Sequence, residues 1–82
     1  MKANLLGIRK NVRVENERTG EIIEGTSLYI AHKDENVIGQ MTGKMFVRNT
    51  LQIPCMAQLQ PGQLLDLDLN TKGKIVDITI LK

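Results

Sequence analysis

The chain has 82 residues, with 11 Lys and Arg against 9 Asp and Glu, a formal net charge of +2 and a single cysteine. This length limits it to one domain with a small core, and one cysteine excludes an intramolecular disulfide. Because no segment approaches the roughly 20 consecutive apolar residues that cross a bilayer, we expect a cytoplasmic protein with no membrane partner.

Residues 5–15 are predicted to form the first strand, in which basic and apolar side chains alternate. Arg9 and Arg13 share one parity, and Ile8 lies on the other. Because successive side chains of a strand point to opposite faces, the two arginines are expected together on a cationic outer face. Gly7 inside this strand indicates a bulge or a sharp bend.

A polar turn at residues 17–21, with Gly20 available for a positive φ, leads into a second predicted strand at residues 22–31. The two strands are expected to pair as an antiparallel hairpin. Gly25 is a second candidate bulge. The core parity of the second strand holds Ile22, Leu28 and Ile30, and its outer parity holds Ser27 and Tyr29.

Residues 32–43 are a polar loop that contains Lys33. The loop is long for a small domain and is therefore a candidate functional loop. Residues 44–48 are predicted to form the third strand. Its outer parity holds Lys44, Phe46 and Arg48, and its core parity holds Met45 and Val47. An aromatic ring is therefore predicted between two cations.

The second half of the chain predicts two further strands and contains one candidate short strand. Residues 51–53 are a candidate short strand, and Pro54 suits the start of a helical turn near residues 54–58. Alternating leucines and aspartates predict a fourth strand at residues 65–69, and a tight hairpin loop leads to a fifth at residues 74–81. The core parity of the fifth strand holds Val76, Ile78 and Ile80.

These elements predict an all-β fold in one domain covering residues 1–82. A small open sheet would leave long unpaired edges and a poor core, so a barrel is favoured. The best match is a five-stranded barrel like that of the oligonucleotide/oligosaccharide-binding (OB) fold, with one short helical turn. An SH3-like barrel is the nearest alternative.

The residues do not predict an enzyme. Catalysis needs positioned acids, bases or a metal, and the one histidine, His32, begins a charged stretch that is expected to be solvated. Asp66 and Asp68 share one strand face, where a solvent-facing polar row is expected rather than a cation site. Neither a Cys/His spacing for zinc nor a glycine-rich phosphate loop is present. We expect no cofactor, no metal and no small-molecule substrate.

Cations and rings on one sheet face predict a platform for single-stranded nucleic acid. Proteins that bind single strands combine cations that track the phosphates with aromatic rings on which the bases stack. The competing interpretation places both rings in the core, because a bulge reverses strand parity and small domains usually bury their aromatics. The candidate nucleic-acid-binding residues are Arg9, Arg13, Ser27, Tyr29, Lys33, Lys44, Phe46 and Arg48.

Several segments also carry a resemblance to known proteins. They are Gly7-Ile8-Arg9-Lys10, Thr19-Gly20, Gly25-Thr26-Ser27-Leu28-Tyr29, Val37-Ile38-Gly39-Gln40, Phe46-Val47 and residues 61–69. With these segments the chain resembles the helix-destabilising, single-stranded-DNA-binding proteins of filamentous phages. It also resembles short proteins encoded on small replicons and integrative elements of Gram-positive bacteria. The resemblance implies an OB-like barrel, a homodimer, and cooperative coating of single-stranded DNA during replication or transfer.

Two alternatives stay open at this point. A small β-barrel adaptor or structural protein that binds a protein partner is the second hypothesis, because exposed strand edges are templates for association. RNA is retained as a ligand, because an OB-like barrel can bind either nucleic acid. Duplex recognition is disfavoured, because the chain has no helix-turn-helix spacing.

Overall fold

The computed structural model describes all 82 residues and contains five strands and one short helical turn. The strands are β1 (Lys2–Glu15), β2 (Ile22–His32), β3 (Met41–Arg48), β4 (Leu64–Leu69) and β5 (Ile75–Ile80), and the 3₁₀ turn is Met56–Gln58. The predicted all-β fold with five strands is confirmed. The structure has no helix with the length and apolar character needed to span a membrane.

All five strands belong to one antiparallel sheet, in the order β3-β2-β1-β4-β5. The long strand β1 joins the two halves of the sheet, since residues 4–15 pair with β2 and residues 2–4 pair with β4. The sheet curls until β3 and β5 come into contact, although no ladder of backbone hydrogen bonds joins them. The result is a small barrel-like sheet that is open along one seam.

The barrel interior is an apolar cluster to which every strand contributes. Its members are Ala3, Leu5, Leu28, Ile30, Val47, Ile53, Leu59, Leu65, Leu67, Ile75 and Ile78. Ile53 and Leu59 come from the segment between β3 and β4, so this connection is part of the core. Burial of apolar surface is the main stabilising term in a domain of this size. Neither aromatic ring belongs to the cluster.

The bulge predicted at Gly7 is confirmed. The register of β1 against β2 shifts between Leu5, which pairs with Ile30, and Gly7, which pairs with Tyr29. The extra residue, Leu6, is exposed, whereas Leu5 is fully buried. Without this extra residue, Gly7 would share the inward parity of Leu5. Because of the bulge, the odd-numbered residues that follow it, Gly7 and Arg9, point outward.

A second irregularity in β1 separates two arginines that were expected on one face. Arg9 and Val12 pair with residues of β2 that are only two positions apart. Asn11, in the extra length, has a left-handed backbone with φ of 58°, which Asn tolerates better than most residues. Parity is reversed beyond this point, so Arg13 faces away from Arg9 and that prediction is wrong. The bulge predicted at Gly25 is also wrong, because the extra residue lies in the opposite strand.

Two residues that were predicted in the core lie on the surface. Val76 is exposed because the register of β5 against β4 shifts beside it, and Ile75 is buried in its place. Ile22 is exposed because the β1–β2 hairpin extends past the end of β3 at Arg48, whose partner is Gly25. In both cases the alternation of apolar residues is a property of one strand alone. Whether an apolar side chain reaches the core depends also on how the neighbouring strand pairs with it.

The segment between β3 and β4 contains the predicted helical turn but not the predicted strand. The 3₁₀ turn lies within residues 54–58, whereas residues 51–53 form no strand. The Sγ of Cys55 donates a hydrogen bond of 3.2 Å to the carbonyl oxygen of Ile78. This bond attaches the segment to β5, and Ile53 of the same segment is buried in the core cluster.

Candidate nucleic-acid interface

The register of β1, β2 and β3 aligns their side chains in rows on one face of the sheet. Directly opposed residues of paired strands share a face, and Leu28 points into the core, so Ser27 and Tyr29 point outward. The three rows, which we call the outer face, are Gly7 with Tyr29 and Lys44, Arg9 with Ser27 and Phe46, and Val12 with Gly25 and Arg48. Six of the eight candidate residues lie in these rows.

Both aromatic rings of the chain lie on the outer face, each beside a glycine of the neighbouring strand. A β-carbon added at Gly7 would lie 3.8 Å from Cδ2 of Tyr29. A β-carbon added at Gly25 would lie 2.6 Å from Cζ of Phe46. Both side chains are half-buried, because part of each ring rests on the sheet. The predicted placement of both rings outside the core is confirmed.

The cations of the outer face have no carboxylate partner. Arg9, Lys44 and Arg48 are exposed, and none of them forms an ion pair, since the only Lys or Arg side chain in an ion pair is that of Arg13. Unpaired cations close to half-buried rings present a positive potential together with apolar surface. A polyanion with flat rings matches both properties.

Arg13 is separate from this surface. Beyond the irregularity at Asn11 it pairs with Glu24, and its Nε lies 3.4 Å from Oε1 of that glutamate. The pair occupies the opposite face of the β1–β2 hairpin from Arg9. The structure therefore does not bring Arg13 together with the other candidate cations, because one inserted residue reverses the strand parity.

Lys33 is also separate from the rows. It follows the last residue of β2, His32, whose partner on β3 is Met41. This position is at the end of the sheet away from Arg48, where Lys33 lines a pocket with Asn4 and other residues. The loop after β2 thus places its lysine beyond the outer face, although the strand it follows carries Tyr29.

Ser27 lies on the outer face as predicted, but it is not accessible. Its exposed fraction is 1%, and its hydroxyl has no hydrogen-bond partner. It is the middle residue of its row, with Arg9 on one side and Phe46 on the other. The small side chain of Ser27 lies between two large ones, so it forms the floor of the outer face, and Arg9 and Phe46 cover it.

A pocket of about 640 Å³ opens along the seam where β3 faces the β4–β5 hairpin. We call it the seam cleft. It is lined by Val14, Ile23, Lys44, Met45, Phe46, Arg48, Thr50, Leu51, Asn70, Gly73, Lys74 and Ile75. Three residues of the outer face therefore also form one wall of this cleft. The opposite wall comes from a hairpin far away in the sequence.

The β4–β5 hairpin contributes a cation that sequence reasoning missed. Lys74 is exposed and faces the seam cleft. The Oδ1 of Asn70 accepts hydrogen bonds from the backbone N–H groups of Lys72 and Lys74, at 2.9 and 3.0 Å. Gly73 has a φ of 76°, a conformation that glycine adopts freely. The Asn-x-x-Gly spacing predicts this turn, but no local signal indicates that the turn lies opposite β3.

The outward face of β4 and β5 has the opposite charge. Asp66 and Asp68 alternate with buried leucines, and Asp68 is directly opposite Asp77 of β5. No group of three or more His, Cys, Asp and Glu side chains is close enough together to hold a metal ion. These three aspartates therefore lie on one side of the barrel, and the unpaired cations of the outer face lie on another.

Comparison with family models, with curated proteins and with solved structures finds no match to this chain.

Proposed function

We propose that this protein binds single-stranded DNA along the outer face and the seam cleft. The observation that carries the proposal is that unpaired cations and both aromatic rings are gathered on one side of the barrel. Phe46 lies between Lys44 and Arg48 on β3, and Lys74 is on the opposite wall of the cleft. Tyr29 extends the surface on β2.

The position of this surface in the fold supports the proposal. OB-type barrels bind oligonucleotides on the face of strands 2 and 3 and with the loops between strands 1 and 2 and between strands 4 and 5. Here Tyr29 and Phe46 belong to strands 2 and 3, and Lys74 belongs to the hairpin between strands 4 and 5. Stacking of a base on an aromatic ring contributes about 1–3 kcal/mol, and every base has a flat face that can stack.

Salt dependence of binding tests the electrostatic part of the proposal. Each phosphate neutralised on a single strand contributes about 0.7 to the slope of log K against log salt concentration. With four cations in contact (Arg9, Lys44, Arg48 and Lys74), we expect a slope of about −3. A fluorescently labelled oligothymidylate, titrated at several salt concentrations and followed by anisotropy, measures this slope. Absence of binding at the lowest salt concentration would rule out the proposal.

The biological setting is part of the same proposal. The resemblance to phage and mobile-element proteins favours coating of single-stranded DNA in the cytoplasm, by a homodimer, during replication or transfer. RNA and duplex DNA of matched length are the comparison ligands. Sedimentation of the free protein and of its complex measures the oligomeric state. A complex in which protein density on a long strand rises steeply with concentration would support cooperative coating.

A protein partner is the second candidate function, because β3 and β5 are both edge strands. Each is hydrogen-bonded to a neighbour on one side only, and an exposed edge can accept a strand from another chain. A barrel that ignores oligonucleotides at low salt but forms a discrete complex through β3 or β5 would favour this function over nucleic-acid binding.

A further inference from the structure

The hydroxyl group of Ser27 is polar, buried and unpaired in the middle of the outer face. The residue is 1% exposed, and its Oγ has no hydrogen-bond partner. Buried hydroxyl groups in proteins usually have a partner, and an unpaired one destabilises the fold. The folded chain alone therefore does not explain why this position carries a hydroxyl.

The same strand shows that a small apolar residue would fit here. Gly25 and Ala31 are buried on the same parity of β2 as Ser27. They occupy the floor between the larger side chains of β1 and β3, and neither has a polar side-chain atom. Size therefore accounts for a small residue at position 27, but it does not account for the oxygen.

The neighbours of Ser27 are the residues that contact a ligand in the proposed function. Arg9 and Phe46 are its direct partners across the two ladders. The ring of Phe46 leans towards Gly25, where a β-carbon would lie 2.6 Å from Cζ. Phe46 is outside the core cluster, so its side chain can change rotamer without opening the barrel interior.

We infer that Ser27 is a latent contact for the edge of a nucleobase, uncovered when a base stacks on the ring of Phe46 and the ring turns away from Ser27. This inference rests on the proposed function and adds a specific role for one buried residue. A serine hydroxyl both donates and accepts a hydrogen bond, so it can pair with any of the bases. The contact therefore adds affinity for bases as a class and only weak preference among them.

The test compares Ser27→Ala with the wild-type protein on two ligands, an oligothymidylate and an abasic strand of the same length. We expect roughly three- to tenfold weaker binding of the oligothymidylate, the effect of losing one net hydrogen bond. Binding of the abasic strand is expected to be unchanged. Thr79→Val, which removes a hydroxyl from β5, is the matched control and should alter neither affinity.

The urea midpoint of the same variant tests the premise. Ser27→Ala removes an unpaired buried oxygen, so its midpoint is expected to rise or stay the same. A lower midpoint would mean that the hydroxyl has a partner in the free protein, and it would overturn the inference. Unchanged oligothymidylate affinity would overturn it too, and so would an equal loss on both ligands. Absence of binding by the wild-type protein would reject the proposed function together with it.

Discussion

The ring of Phe46 occupies the space that a β-carbon at Gly25 would need. The added atom would lie 2.6 Å from Cζ and 3.0 Å from Cε2 of the ring, and it would collide with the carbonyl oxygen of Val47. Only a residue without a side chain leaves room for this arrangement. Gly25 therefore sets the position of one of the two rings on the outer face.

Gly25→Ala is expected to destabilise the fold and to weaken binding of single-stranded DNA. Forcing a methyl group into occupied space typically destabilises a protein by about 1–3 kcal/mol, and the ring of Phe46 must also move. Urea unfolding and oligothymidylate titration measure the two effects. Gly43→Ala is the matched control, because its added carbon would lie 3.9 Å from Cγ1 of Ile30, an ordinary contact. Equal behaviour of the two variants would contradict the role of Gly25.

Charge reversal separates the cations of the outer face from Arg13. Arg48→Glu is expected to lower oligonucleotide affinity about tenfold, or about 1.4 kcal/mol, and to reduce the salt slope by about 0.7. Arg13→Glu also changes the net charge by two, but it acts at a residue that is paired with Glu24 on the opposite face. Its affinity should stay close to that of the wild-type protein. An equal loss in both variants would indicate a net-charge effect without a defined surface.

Lys74 tests whether the ligand enters the seam cleft. Lys74→Glu places a negative charge opposite Lys44 and Arg48, so we expect several-fold weaker binding and a smaller salt slope. Lys72→Glu changes the same hairpin at a residue that does not line the cleft. Its effect should be smaller, because exposed charges are screened over about 8 Å at physiological ionic strength. The same anisotropy titration of both variants gives the comparison.

The acidic face offers a stability prediction that is independent of any ligand. Asp68 and Asp77 are direct cross-strand partners, and like charges in this position are destabilising. Asp68→Asn keeps the shape of the side chain, so it should raise the free energy of unfolding by about 0.2–1 kcal/mol. Salt should reduce the gain, because it already screens the repulsion. Glu17→Gln in the exposed turn is a control that should show no such gain.

Cys55 predicts a change of stability in alkaline solution. Burial raises the pKa of its thiol above the ordinary value, and the negative charge of Asp77 raises it further. A raised pKa in the folded state means that the unfolded chain loses this proton first. The contribution of the Cys55 thiol to the free energy of unfolding is therefore complete below the ordinary thiol pKa. It decreases as the pH rises through the pKa of this thiol in the folded protein. Comparing urea unfolding of the wild-type protein with Cys55→Ser across this range isolates the thiol, since serine does not titrate there.

The alternation of residues in β2 and β3 was sufficient to predict much of the candidate site. Tyr29, Lys44, Phe46 and Arg48 lie where their parity placed them, because these two strands pair without any shift of register. Side chains in an uninterrupted strand alternate between the two faces of the sheet. The amino-acid sequence therefore specifies the face on which each side chain lies. The same regularity predicted the five strands and the all-β fold.

The remainder depended on contacts between distant parts of the chain. One inserted residue near Asn11 moved Arg13 to the opposite face, and the fit between β1 and β2 determines where that insertion lies. Lys74 joined the site only because the sheet curls until the β4–β5 hairpin faces β3. Strand periodicity is a local property that a sequence expresses directly. Bulge positions and barrel curvature follow from packing of the whole sheet. No single segment of the sequence is therefore sufficient to predict them.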